Sequence, residues 1–211
     1  LYINKQKDIN FCSVYKCYAL KHSKKNIRNI SASGGAFSVF AEYIINERKG
    51  GIYGASFDDK WNVNHIYVNN IEGLKKLRGS KYVQSDIGNT FNDCKKRLDN
   101  GETILYTGTP CQIRGLKLFL KKEYDNLFTI AIMCHSVSSP WVWNKYLKEI
   151  SPNQDISYIN FRYKKYSWEH YSFLIKDSTN KIIINEISTF NPFMRCIMRG
   201  DFQRLSCENC Q

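Results

Sequence analysis

Thr103-Ile104-Leu105-Tyr106-Thr107-Gly108-Thr109-Pro110-Cys111-Gln112-Ile113 decides how this chain is read. The apolar run ending at Thr107 predicts a strand, and Ile113 to Leu120 carries apolar residues at helical spacing, so Gly108 to Gln112 is a tight loop between the two. Such a loop at a strand's carboxyl end lets backbone approach a ligand closely, with N–H donors at the start of the following helix. Phe128 to Met133 repeats the pattern, running into Cys134-His135-Ser136-Val137-Ser138-Ser139-Pro140 and a helix from near Trp141. Two thiol-bearing loops are thereby expected on one edge of a sheet.

Toward the N-terminus, Tyr18 to Leu20 reads as a short strand, and Ala36 to Ile45 as a helix introduced by Ser31-Ala32-Ser33-Gly34-Gly35. Those hydroxyls and glycines suit either an N-cap with a permissive turn or a phosphate at the positive end of a helix. Ile52 to Phe57 and Val63 to Val68 read as a strand and its hairpin partner, with His65 a strand-face residue. Ile71 to Leu77 is a short helix, and Ile87 to Asn100 a longer amphipathic one. Between them Arg78-Gly79-Ser80-Lys81-Tyr82-Val83-Gln84-Ser85 gathers cations, hydroxyls and an aromatic ring in one loop. That set can hold phosphate and lay a ring beside a flat ligand, or it is a solvated basic loop.

Toward the C-terminus, Trp141 to Ile150 has helical spacing and Ile156 to Phe161 reads as a strand. Arg162 to Trp168 is a basic and aromatic loop, able to stack a nucleobase, an isoalloxazine-like ring or single-stranded nucleic acid. Tyr171 to Lys176 and Lys181 to Ile184 form a hairpin, and Phe193 to Gly200 a helix. The fold class expected is α/β, a mixed central sheet with helices on both faces and an added β-hairpin region, as a single domain over residues 1–211.

At 211 residues and 43% hydrophobic, the chain can bury a substantial core. Its formal charge of +12 suits an acidic partner, whether nucleic acid, a redox protein or a phosphorylated cofactor. Most lysine pairs read as solvated faces. No run of about 18 apolar residues is present, so no membrane insertion is expected, and the N-terminal stretch has no signal-peptide core. A cytoplasmic location and reduced or metal-bound thiols are the corresponding expectations for the eight cysteines. The start at Leu1 and the stop one residue after Cys207-Glu208-Asn209-Cys210 read as truncation at both ends.

Cys111, Cys134, Cys207 and Cys210 are the candidate metal ligands. The C-x-x-C spacing of the last pair lets two thiolates reach one metal or cluster, and single cysteines at two adjacent strand ends complete four. Zinc and iron-sulfur chemistry both fit. Alternatively, Cys111 is a nucleophile with His135 as its base.

Taken together, the Ser31 to Phe37, Arg78 to Ser85 and Gly108 to Gln112 blocks, Cys134-His135 with Ser139-Pro140, Phe161-Arg162 with Lys164 or Lys165 and Trp168, and Cys207 with Cys210 are ordered as in one family. The chain resembles the coenzyme F420 hydrogenase/dehydrogenase beta subunit family from about Cys17 to the C-terminus. The resemblance implies a single flavin-binding domain of an oxidoreductase, passing electrons between 4Fe-4S clusters, FAD and a hydride acceptor or organic substrate, with coenzyme F420 a further candidate cofactor. It implies FAD binding by Ser31, Ser33, Gly34, Gly35, Ser80, Lys81, Tyr82, Gln84, Ser85, Thr109, Pro110, Cys111, Gln112 and Arg162. Cys111, His135 and Lys81 are the candidate catalytic residues, and the resemblance implies Cys207 and Cys210 as the cluster ligands. Cys111 and Cys134 either ligate iron or line the flavin site.

A redox partner protein or ferredoxin and a small-molecule hydride donor or acceptor are the implied partners. The alternative is a basic non-catalytic module binding nucleic acid or an acidic protein. Two departures stand out. The family's Cys-His-Gly-x-Pro-Ser-Pro block here has Ser136 and Ser138 in place of Gly and Pro, which predicts a differently shaped loop. The ferredoxin-like cysteine cluster usually found upstream is absent from this sequence.

Overall fold

The computed structural model describes residues 17–153, 155–165, 167–203 and 205–207. Its centre is a four-stranded sheet of β1 (Gly51–Phe57), β2 (Val63–Val68), β3 (Ile104–Gly108) and β4 (Leu127–Ala131), in the order β2-β1-β3-β4. β2 is antiparallel to β1, whereas β1, β3 and β4 run parallel, so the sheet is mixed. Parallel pairing puts the carboxyl ends of β3 and β4 side by side, which places the Gly108 and Cys134 loops on one edge, as the repeated strand-loop-helix pattern predicts.

Both sheet faces are covered. Alternation along β1 and β3 turns Ile52 and Leu105 to one side, where α2 (Ala36–Asn46) and α3 (Ile71–Leu77) add Ala41, Ile44, Ile45, Leu74 and Leu77. Tyr53, Ile104 and Tyr106 face the other side, against α4 (Thr90–Asp99) and α5 (Pro110–Leu120). A sheet buried on both faces is the condition under which parallel strands read as unbroken apolar runs, and all of β3 is buried.

A second core lies around a three-stranded antiparallel sheet of β5 (Tyr158–Tyr163), β6 (Ser172–Lys176) and β7 (Ile182–Ile187). The expected hairpin is therefore real but gains a third strand. Phe161, Phe173 and Ile175 pack there against Trp143 and Leu147 of α6 (Pro140–Ile150) and Phe193, Met194 and Ile197 of α7 (Pro192–Arg199). Val63 of β2 joins this core, and the Trp143 indole donates to the Trp61 carbonyl in the β1–β2 turn.

Two local expectations are corrected. Tyr18 to Leu20 forms no strand; the segment instead runs beside the Ser/Gly turn, where the His22 N–H donates to the Gly34 carbonyl at 2.8 Å. The helix expected from Ile87 starts at Thr90, because Gly88 has φ +51° and breaks the helical path. A one-turn helix missed in the sequence, α1 (Lys25–Ile30), precedes the Ser/Gly turn.

Candidate functional site

The Gly108 to Gln112 loop is held by a buried polar file. Thr109 is the N-cap of α5, Pro110 occupies its first turn without needing an N–H, and Gln112 Oε1 accepts the Thr109 N–H at 3.0 Å. Gln112 Nε2 donates to Ser85 Oγ at 2.9 Å, and Ser85 Oγ meets His65 Nδ1 at 2.8 Å. His65 Nε2 in turn lies 2.9 Å from the Thr107 carbonyl. Thr109, Gln112 and Ser85 thus meet in one hydrogen-bonded file with His65, which the sequence reads as a strand-face residue. Cys111 is exposed, its sulfur 3.1 Å from Thr109 Oγ1.

The Cys134 loop joins the same place. The Ser138 N–H and hydroxyl both donate to the Tyr82 carbonyl, at 3.2 and 3.0 Å, and the Ser138 carbonyl accepts the Gln84 N–H at 2.9 Å. Ser136 Oγ donates to the Ile197 carbonyl of α7. The two serines standing where the family pattern has Gly and Pro are therefore buried and bonded. Proline at 138 has no N–H to give Tyr82, so this loop is tied to the Tyr82–Gln84 segment by a bond that pattern lacks. Cys134 and His135 are exposed on it. Among the described residues no hydrogen bond joins His135 to Cys111, so the nucleophile–base pair has no geometric support there.

Lys81 is held at the carboxyl end of α3. Its ammonium reaches four carbonyls, those of Lys76, Leu77, Arg78 and Gly79, at 3.1–3.3 Å, where the negative end of α3 needs a cation. Burial pushes its pKa down to about 7, and the carbonyls favour the charged form against that. The Lys81 ammonium thus caps the end of α3. Arg78 has a similar fate, donating to Ser38 and Glu42 of α2. Tyr82 sits edge-on to Phe161, beside Arg162, Tyr171 and the Ser80 hydroxyl.

The Ser31 to Gly35 segment splits by role. Ser31 Oγ donates to the Ile27 carbonyl and ends α1. Gly35 is the N-cap of α2 at φ +86°, where a Cβ would lie 3.0 Å from His22. Ser33 and Gly34 line a cleft of about 460 Å³ with Lys21, Arg28, Lys164 and Trp168. Lys164 Nζ donates to the Arg28 and Ser33 carbonyls at 2.6 and 3.1 Å, and burial with the nearby Arg162 charge holds it below the usual lysine range. Arg162 lies 4.4 Å over the Tyr171 ring and 6.0 Å from Trp168. Its Nε is buried with no hydrogen-bond partner among the described residues. Lys164 lies in the basic and aromatic loop that the sequence marks out, whereas Lys21 and Arg28 escaped the sequence reading as site residues, because nothing in spacing links positions so far apart.

Cys207 is half-buried at the end of a short 3-10 turn, Leu205–Cys207; Cys210 lies outside the described residues. Among the described residues no three His, Cys, Asp or Glu side chains gather as a metal site, so Cys111, Cys134 and Cys207 do not form one ligand set there. No described helix is long and apolar enough to cross a membrane.

The family model for the C terminus of the coenzyme F420 hydrogenase/dehydrogenase beta subunit matches residues 101–211. The chain belongs to this family. No curated protein matches it. A chain of the F420-reducing NiFe hydrogenase complex from Methanosarcina barkeri, studied by xenon derivatization, is similar at TM-score 0.59 and 13% identity, over 90% of this chain and 63% of that one. At that identity the likeness is one of fold, and the present chain spans less than two thirds of the neighbour's length. Within the family match fall the Gly108 and Cys134 loops, Arg162 and the three-stranded sheet. His65, Ser85 and the Ser/Gly turn precede it; the fold brings His65 and Ser85 to the Gly108 loop and the Ser/Gly turn to Lys164 and Trp168.

Proposed function

We propose that this beta subunit family member is a flavin-binding electron-transfer unit of an FAD- and iron-sulfur-dependent oxidoreductase. The observation that carries the reading is the cleft lined by Ser33, Gly34, Lys164 and Trp168; the Arg162 guanidinium lies 6.0 Å from the ring of that Trp168, and its buried Nε has no hydrogen-bond partner among the described residues. An unsatisfied buried guanidinium nitrogen fits an anionic or hydrogen-bonding ligand, and Lys21 and Arg28 add charge of the right sign for phosphate. Two of the three Lys164 ammonium protons go to protein carbonyls, which fixes the side chain and leaves one proton for a ligand. Trp168, more than half exposed, offers a face for a flat ring.

Bound there, FAD would supply the exchange between one-electron and two-electron carriers. The chain's own residues bind and orient: Arg162 and Lys164 hold acidic groups, Ser33 and Gly34 bring backbone close, and the Thr109–Cys111 loop flanks the neighbouring sheet edge. Cys207 with Cys210 would hold iron-sulfur, with a ferredoxin-like protein and a hydride acceptor of the coenzyme F420 type as partners. Anaerobically purified protein is expected to yield extractable flavin and iron. Lys164→Ala and Trp168→Ala are each expected to weaken FAD binding about tenfold, the size of one lost charged or stacking contact. Protein with neither flavin nor iron, and no FAD binding on titration, sinks the reading.

A further inference from the structure

Thr109, Gln112, Ser85, His65 and Thr107 form an unbroken file whose direction is set by chemistry. A carbonyl only accepts, so the bond to Thr107 puts the proton on His65 Nε2. In a neutral ring Nδ1 is then an acceptor, and the Ser85 hydroxyl donates to it. Ser85 Oγ in turn accepts from Gln112 Nε2, which leaves Gln112 Oε1 to accept the Thr109 N–H. Each of the three side chains is used in both directions, and none can turn without breaking two bonds.

The surroundings leave it little room. His65 and Ser85 are 6% and 7% exposed, and the His65 ring stacks on Tyr106 at 5.5 Å. Lys81 is the charged group that bears on it electrostatically. A Cβ on Gly108 would lie 2.9 Å from Gln112 Oε1 and 3.6 Å from His65 Nε2, so the loop backbone is packed directly onto the file.

We propose that His65 is the positioning residue for the Gly108–Cys111 loop: through Ser85 and Gln112 it fixes the direction of the Thr109 N–H and, with it, the placement of Cys111. What the loop serves rests on the flavin reading above; the file itself does not. His65 lies on β2, on the far side of β1 from β3, and reaches the loop across the sheet's end rather than along the chain.

The test uses the full chain with ¹⁵N-labelled histidine, since ring ¹⁵N shifts separate protonated from bare nitrogens. Wild type at pH 7 is expected to show Nε2 protonated and Nδ1 bare for His65. In Gln112→Glu the carboxylate accepts from both the Thr109 N–H and the Ser85 hydroxyl. Ser85 then no longer donates to His65, whose Nδ1 takes a proton from solvent and donates to Ser85 Oγ. Both ring nitrogens are expected to be protonated at pH 7, a reversal that loss of packing alone does not produce. Alkylation of Cys111 by iodoacetamide, followed by mass spectrometry, is expected to rise about tenfold in Ser85→Ala, the effect of one buried hydrogen bond, and to stay near the wild-type rate in Gln112→Glu, where the file re-forms in reverse.

A wild-type His65 with a bare Nε2 or a charged ring overturns the proposal, as does a neutral ring in Gln112→Glu or an unchanged Cys111 rate in Ser85→Ala. Should Gln112→Glu fail to fold, the wild-type tautomer and the Ser85→Ala alkylation rate still decide. If both behave as expected but wild type binds no added FAD, the flavin reading falls and the positioning role stands.

Discussion

Burial keeps His65 neutral: desolvation of the imidazolium is the largest effect and the Lys81 charge adds to it, against the opposing Thr107 carbonyl. Its folded pKa therefore lies below the ordinary value near 6.5. Between the two values the unfolded chain binds more protons than the folded one, so stability is fully present above about pH 6.5 and is lost as pH falls through the folded pKa. Urea midpoints at pH 7.5 and pH 5 are expected to fall more for wild type than for His65→Gln. Equal losses in both proteins would show that other groups set the acid limit. At pH 7.5 the same substitution is expected to cost about 1–3 kcal/mol, the range for leaving buried partners unsatisfied.

At the scale of elements, the loops are set by how strands end and helices begin. α5 and α6 each start with an N-cap hydroxyl residue and a Pro, Thr109-Pro110 and Ser139-Pro140, which fixes where each loop must stop. The Cys134 loop is then pinned at Ser138, whose N–H and hydroxyl share one acceptor on the Tyr82 segment. Ser138→Pro removes both donors and is expected to destabilise the protein by about 1–3 kcal/mol. Hydrogen exchange should show faster protection loss at Gln84 before any change in β3. An unaltered exchange rate at Gln84 would mean that the two loops are held together by other contacts. The Ser/Gly turn was legible as a helix start, but the assignment of its hydroxyls was not. Ser31 is spent on α1, a helix too short for periodicity to announce.

At the scale of the molecule, two cores meet at the β1–β2 turn. Trp143 is fully buried, packs against Phe161 at 5.3 Å and Phe193 at 5.2 Å, and donates to the Trp61 carbonyl. Trp143→Ala is expected to cost about 3–5 kcal/mol from lost burial and the cavity left behind. Because the second core carries Arg162 and braces the Cys134 loop through α7, the proposed FAD binding is expected to weaken with it. Trp143→Phe should recover most of the stability but not the bond to Trp61. A Trp143→Ala protein as stable as wild type would mean that the two cores are independent.

Local chemistry determined a good deal by itself. The alternation and length of apolar runs gave the strands of the central sheet, and Gly, Pro and hydroxyl punctuation placed the Gly108 and Cys134 loops on neighbouring strand ends. Those signals are short-range, and each needs only a few consecutive residues to be read. Tertiary structure alone decided which side chains those loops meet. His65 joined Thr109 because antiparallel β2 carries it to the sheet's end, and Lys164 joined Ser33 across 131 positions. Lys81, which the sequence offered as a ligand contact, was claimed instead by the carbonyls ending α3. A cation beside an open helix end has partners only when the backbone has folded, and no spacing rule contains that competition.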